Sequence, residues 1–115
     1  MKATELQIGD WVSIKPLSAY IYTRRKIKIQ DFANLHKMDF VPILLTHEIL
    51  EKNGFKYNDL PYAQDWEQYG LSIYGENPKM INCGLNIAMN VTYVHQLQHA
   101  LRLCGLDELA DNFKI

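Results

Sequence analysis

The stretch from Thr92 to Gly105 constrains the fold more than any other part of the chain. At 100° per residue, Tyr93, Val94, Leu97, Ala100, Leu101 and Cys104 gather within about 120° of one another, forming the apolar face of an amphipathic helix. Thr92 is placed to cap the free amides of the first turn. Gly105 suits the left-handed position just past a helix end, and Leu106 then folds back onto Leu101, the contact of a Schellman stop. Such a helix carries the largest share of the core and packs on a sheet.

The preceding chain supplies strands. Gly9 and Asp10 signal a turn, and Trp11 to Ile14 reads as a short strand, an opening of the kind that leads into a small SH3-like barrel. From Ala19 to Ile29 the residues alternate: Ala19, Ile21, Thr23, Ile27 and Ile29 share one face, with Arg25 the exception. Tyr20, Tyr22, Arg24, Lys26 and Lys28 share the other. A hairpin turn at Thr23 to Arg25 is the alternative. Asp31 caps a helical turn from Phe32 to Leu35, and a polar loop runs from His36 to Asp39. The apolar run Phe40 to Leu45 is kept extended by Pro42, at a sheet edge.

Thr46 caps a short helix from His47 to Asn53, with Glu48 in its first turn. Gly54 and Phe55 repeat the Schellman stop against Leu50. Tyr57 to Asp65 is turn-rich. Strands over Gly70 to Tyr74, Lys79 to Cys83 and Leu85 to Val91 form an antiparallel meander that feeds the long helix, with Leu85, Ile87, Met89 and Val91 on one face. Leu106 to Ile115 reads as a helical turn and a trailing strand. The expected architecture is α+β in a single domain over residues 1–115: an N-terminal SH3-like β part, a short helix, a three-stranded antiparallel meander and a long C-terminal helix.

Composition narrows the function classes. A chain that is 48% hydrophobic and 22% charged has room for a sizeable core. A net charge of −1 exerts no global pull on nucleic acid or anionic lipid, so any such binding needs a local patch. Cys83 and Cys104 have neither the CxxC spacing of a metal or redox site nor the density of a secreted disulfide framework. They read as small buried hydrophobes in a reducing compartment. The N-terminus lacks the apolar run of a signal peptide, and no window approaches a membrane span, so the expectation is a cytoplasmic protein.

The chemistry-bearing residues form few constellations. His95 and His99 stand four apart, a spacing at which two imidazoles share zinc, but Gln96 occupies the position where the metalloprotease pattern has its glutamate. The helical wheel puts His95, His99 and Arg102 together on a solvated face opposite the apolar stripe. Cys104 lies on the stripe and is expected to be inert. Asp107 with Glu108, and Asp59 with Asp65, read as surface charges, and no glycine-rich phosphate loop is present. No catalytic residue, metal site or cofactor is therefore assigned. The best functional pattern is the face of Tyr20, Tyr22, Arg24, Lys26 and Lys28. Its tyrosines suit stacking on bases or anchoring to a protein, and its cations suit phosphates or blocking of edge pairing.

Three blocks carry a family likeness: ELQIGDWV from Glu5 to Val12, PILLTHEILEKNGF from Pro42 to Phe55, and YVHQLQHAL from Tyr93 to Leu101, running on to Gly105. In this order they resemble a group of small proteins from Bacteroidetes genomes, phages and integrated mobile elements. The resemblance implies a bacterial or phage setting and a cytoplasmic accessory role, and it brings no catalytic residues with it. The expected function is a non-catalytic accessory or protein-interaction module with an unidentified protein partner. The alternative is a nucleic-acid-binding protein that uses the Tyr20 to Lys28 face.

Overall fold

The computed structural model describes residues 2–61, 63–76, 79–82 and 88–115. They fall into two compact units, Met1–Ile43 and Leu44–Ile115. Strands and helices are both present and all strand pairs are antiparallel, an α+β composition.

The first unit is a three-stranded sheet of order β2-β1-β3, with β1 Trp11–Pro16, β2 Thr23–Lys26 and β3 Met38–Pro42. The Gly9–Asp10 turn forms as its residues suggest: Gly9 has φ +91° and Asp10 accepts from the Gln7 amide at 2.8 Å. Alternation along β1 sends Val12 and Ile14 inward, where they meet Leu6 and Ile27 and are covered by Leu35, Met38 and Phe40. Pro42 ends the edge strand β3, the position that tolerates a missing amide. The long alternating strand from Ala19 to Ile29 does not form. Only Thr23–Lys26 pairs, Ile27 is buried, and Ile21 and Ile29 are exposed. The reason lies at Asp31, which accepts from the Lys28 amide at 2.7 Å and starts a 3₁₀ turn over Ile29–Ala33, so the chain leaves the sheet. Asp31 thus caps from inside the turn rather than ahead of it.

The second unit begins with α1, His47–Lys52. Thr46 Oγ1 accepts from the Ile49 amide at 3.3 Å. At its other end the amides of Gly54 and Phe55 donate to the carbonyls of Glu51 and Leu50, each at 3.1 Å, the double bond of a Schellman stop. A five-stranded meander follows: β4 Lys56–Leu60, β5 Ala63–Gln68, β6 Leu71–Tyr74, β7 Met80–Asn82 and β8 Ala88–Asn90, in sequential order. The expected meander was three-stranded, because β4 and β5 carry Asn58, Asp59, Gln64 and Asp65, residues that read as turn. Here they stabilise a ladder through their side chains: Asn58 donates to Asp65 at 3.1 Å, Gln64 donates to Asp59 at 3.1 Å, and Ser72 donates to Asp65. Cys83, Leu85 and Ile87 lie outside the described residues.

The amphipathic helix is α2, Val94–Leu103. Tyr93 rather than Thr92 is its N-cap, and the Gln96 side chain accepts from the Tyr93 amide at 3.1 Å. Thr92 is engaged elsewhere, donating to Asn90 at 2.6 Å and accepting from the Lys79 amide at 3.3 Å. The Schellman stop at Gly105 is present, with Leu106 N–H donating to Leu101 at 2.8 Å. Val94, Leu97, Ala100 and Leu101 are buried, but the burial extends past the stripe. His95 is 3% exposed and Gln98 is fully buried, so the expected solvated histidine face is corrected. A second short helix, α3 over Asp107–Asp111, is the cause for Gln98: it packs on α2, and Gln98 Nε2 donates to its Ala110 carbonyl at 3.1 Å. Cys104 caps the helix end, half-buried, rather than lying within the stripe. No trailing strand follows. The last residues are tied by Asn53, which donates to the Lys114 carbonyl at 2.7 Å and accepts from its amide at 2.9 Å.

Candidate binding surface

The register of the first unit's sheet assembles its outer face. Trp11 stands opposite Lys26, Ser13 lies between Arg24 and Val41, and Lys15 faces Asp39. Of the residues singled out from sequence, Arg24 and Lys26 lie on this face and Tyr22 joins it. Tyr20 and Lys28 flank β2 at its two ends, and both are exposed. The five are therefore not one continuous row.

The face is more internally satisfied than alternation alone suggests. The Lys15 ammonium sits 5.5 Å from the Tyr22 ring centroid and the Lys26 ammonium 5.7 Å from that of Trp11. Such cation–π contacts occupy the ring faces that a base would stack on. The Tyr22 hydroxyl donates to Asp39, whose carboxylate holds the phenol above its usual pKa and adds a negative charge to the face. Arg25, the exception to the alternation, turns inward and forms a two-bond fork with Asp31 at 2.7 and 2.8 Å.

Beside this face the loop between β1 and β2 projects apolar side chains into water. Tyr20 is 97% exposed, Ile21 80% and Leu17 61%. Lys15 and Arg24 stand at the base of this tip. Sequence reasoning treated Pro16 and Ser18 only as breakers and put Ile21 on one face of an alternating strand. The available signal was two aliphatic residues, Leu17 and Ile21, in a segment whose breakers deny it a strand.

The second unit has a cleft of about 120 Å³ bordered by His47, Tyr57, Trp66 and Glu76. The three rings pack with centroids 5.1–6.4 Å apart. His47 Nε2 meets Glu76 at 2.9 Å, and Lys79 reaches the other carboxylate oxygen at 3.5 Å. The carboxylate thus has two basic neighbours. Sequence reasoning missed this cluster because 29 residues separate His47 from Glu76. His95 and His99 meet edge to face, 5.6 Å apart, with Tyr93 stacked on His95. Among the described residues no group of three or more His, Cys, Asp or Glu side chains is placed to share a metal ion. No described helix is long and apolar enough to cross a membrane.

The charges divide unevenly between the units. The first holds seven Lys and Arg against four Asp and Glu, a net of +3, and the second five against nine, a net of −4. The chain matches no protein-family model, no curated protein and no solved structure.

Proposed function

We propose that this chain is a non-catalytic interaction module that holds a protein partner through its first unit. The observation that carries the proposal is the β1–β2 tip, where Leu17, Tyr20 and Ile21 stand exposed together. An exposed tyrosine with an arginine at the base of its loop matches the residue types of binding hot spots, and leaving Leu17 and Ile21 in water beside it has no folding benefit. The first unit is taken as an SH3-like scaffold for that tip. A cytoplasmic accessory role in a phage or mobile-element setting accords with the family likeness. The nucleic-acid alternative draws on Arg24, Lys28 and the net charge of the first unit, but Tyr22 and Trp11 already hold lysines over their rings.

Cross-linking capture from the native host tests the proposal. Tyr20→Ala with Ile21→Asp should abolish the captured protein while the circular dichroism and melting temperature stay at wild-type values. Capture undiminished by that pair, or oligonucleotide binding at physiological salt lost on Tyr22→Ala in a folded chain, would overturn it.

A further inference from the structure

Among the described surfaces of the second unit is a groove of about 420 Å³ lined by Tyr69, Gly105, Leu106, Asp107, Glu108 and Leu109. Its lining mixes Tyr69, Leu106 and Leu109 with the exposed carboxylates of Asp107 and Glu108. Tyr69 is unusual in its backbone. Gln68 pairs with Leu71, which leaves Tyr69 and Gly70 as a two-residue hairpin turn, with φ +51° and +76°. Asn-Gly is the usual choice there, because a bulky side chain is strained at positive φ. The turn places an aromatic ring, 72% exposed, at the edge of the groove. A strained bulky residue kept at an exposed turn points to a use for its side chain.

We infer that this groove receives the β1–β2 tip of a second copy of the chain. The inference rests on the tip being the binding element proposed above, and it names the partner. The two surfaces are complementary in both chemistry and charge. Leu17, Tyr20 and Ile21 are apolar side chains with Lys15 and Arg24 at their base; Tyr69, Leu106 and Leu109 are apolar lining with Asp107 and Glu108 at their rim. The units that carry them have net charges of +3 and −4. Tip and groove are different surfaces, so each copy brings one of each to the assembly. Where two copies exchange tips reciprocally the assembly closes at two chains; otherwise each copy keeps one unused tip or groove and association continues until a ring closes. A loop in a groove buries less than the roughly 1,200 Å² of stable complexes, so the association is weak and depends on concentration.

Sedimentation of the full chain between about 20 µM and 1 mM reads this out, a range set by the small contact. The average mass should climb to at least that of a dimer as concentration rises and fall as salt is raised, because the rim charges are exposed. Tyr20→Ala with Ile21→Asp removes the tip, and Asp107→Lys with Glu108→Lys removes the groove rim. Each variant alone should stay monomeric. Mixed in equal amounts they should form a species of two chains and no more, since one partner retains a tip and the other a groove. Tyr69→Asn should weaken association several-fold while raising the melting temperature, a combination that a merely structural role would not give. A wild-type chain that stays monomeric at the highest concentration, or a mixture that stays monomeric, would overturn self-docking. If that happens while the tip variant still loses its captured host protein, the tip remains the binding element and only the partner is wrong. If the tip variant changes neither measurement, both proposals fall.

Discussion

Asp31 keeps only 10% of its side chain exposed, and it does so as a carboxylate because donors surround it. Two come from the Arg25 guanidinium and one from the Lys28 amide. The hydrogen bonds from Arg25 hold its carboxyl below the ordinary value of 3.8, against the opposing pull of burial, and the same pairing raises Arg25. A folded-state pKa below the unfolded one means that the unfolded chain binds more protons. The pair's contribution is therefore fully present above pH ~4 and is lost as pH falls through the folded value. Asp31→Asn should cost about 1.5–3 kcal/mol at pH 7 by urea denaturation, the range for hydrogen bonds to charged groups. The gap from wild type should narrow at pH 3. The sequence carried half of this arrangement. Asp31 is recognisable as a capping residue, and Arg25 stands out as the charge on an otherwise apolar row. Nothing local says that the two meet, because the bend after Ile27 brings them together. Tyr69 is the second residue-scale case. Its positive φ costs an L-residue about 1–2 kcal/mol, so Tyr69→Asn, which restores Asn-Gly to the turn, should raise stability by about 1 kcal/mol in thermal melts.

At the scale of elements, α2 shows what periodicity can and cannot reveal. Its stripe is legible because hydrophobic spacing sets which face meets the sheet. Leu97 and Leu101 are fully buried, and Leu97→Ala or Leu101→Ala should each cost about 2–5 kcal/mol in chemical denaturation, the range for emptied leucine sites. Both helix stops are legible too, since Gly54 and Gly105 mark positive-φ positions that other residues resist. The burial of Gln98 is not legible. It depends on α3 folding back, and a polar residue outside the stripe looks solvated until a carbonyl is seen to meet it. Gln98→Ala should therefore cost about 0.5–1.5 kcal/mol, the net worth of its buried hydrogen bond to Ala110, whose carbonyl keeps the Phe113 amide at 3.4 Å, where a solvated residue would cost almost nothing. Strands β4 and β5 escaped for a related reason. Their ladder is laced by Asn58, Gln64 and Asp65, whose intrinsic preference is for turns, and cross-strand pairing overrides it.

For the whole molecule, a net charge of −1 averages a basic unit and an acidic one, and the boundary between them falls after Ile43, inside the apolar run from Phe40 to Leu45. Composition alone hides the split, because that run reads as one continuous strand. The split fixes what nucleic acid would experience. Its attraction is confined to the first unit, where Lys15, Arg24 and Lys26 share the sheet face with Asp39. Three neutralised phosphates on a single strand give a slope of roughly −2 in log affinity against log salt, or about a 20-fold loss between 50 and 200 mM. Fluorescence anisotropy with a labelled single-stranded oligonucleotide should therefore show at most weak binding at 50 mM salt that vanishes near physiological ionic strength. Arg24→Glu should remove it at 50 mM as well. A steeper slope would mean that cations beyond the sheet face take part, which the acidic second unit is poorly composed to supply. Binding that persists at 200 mM would instead require base stacking on Trp11 or Tyr22, after Lys26 and Lys15 had moved off their rings.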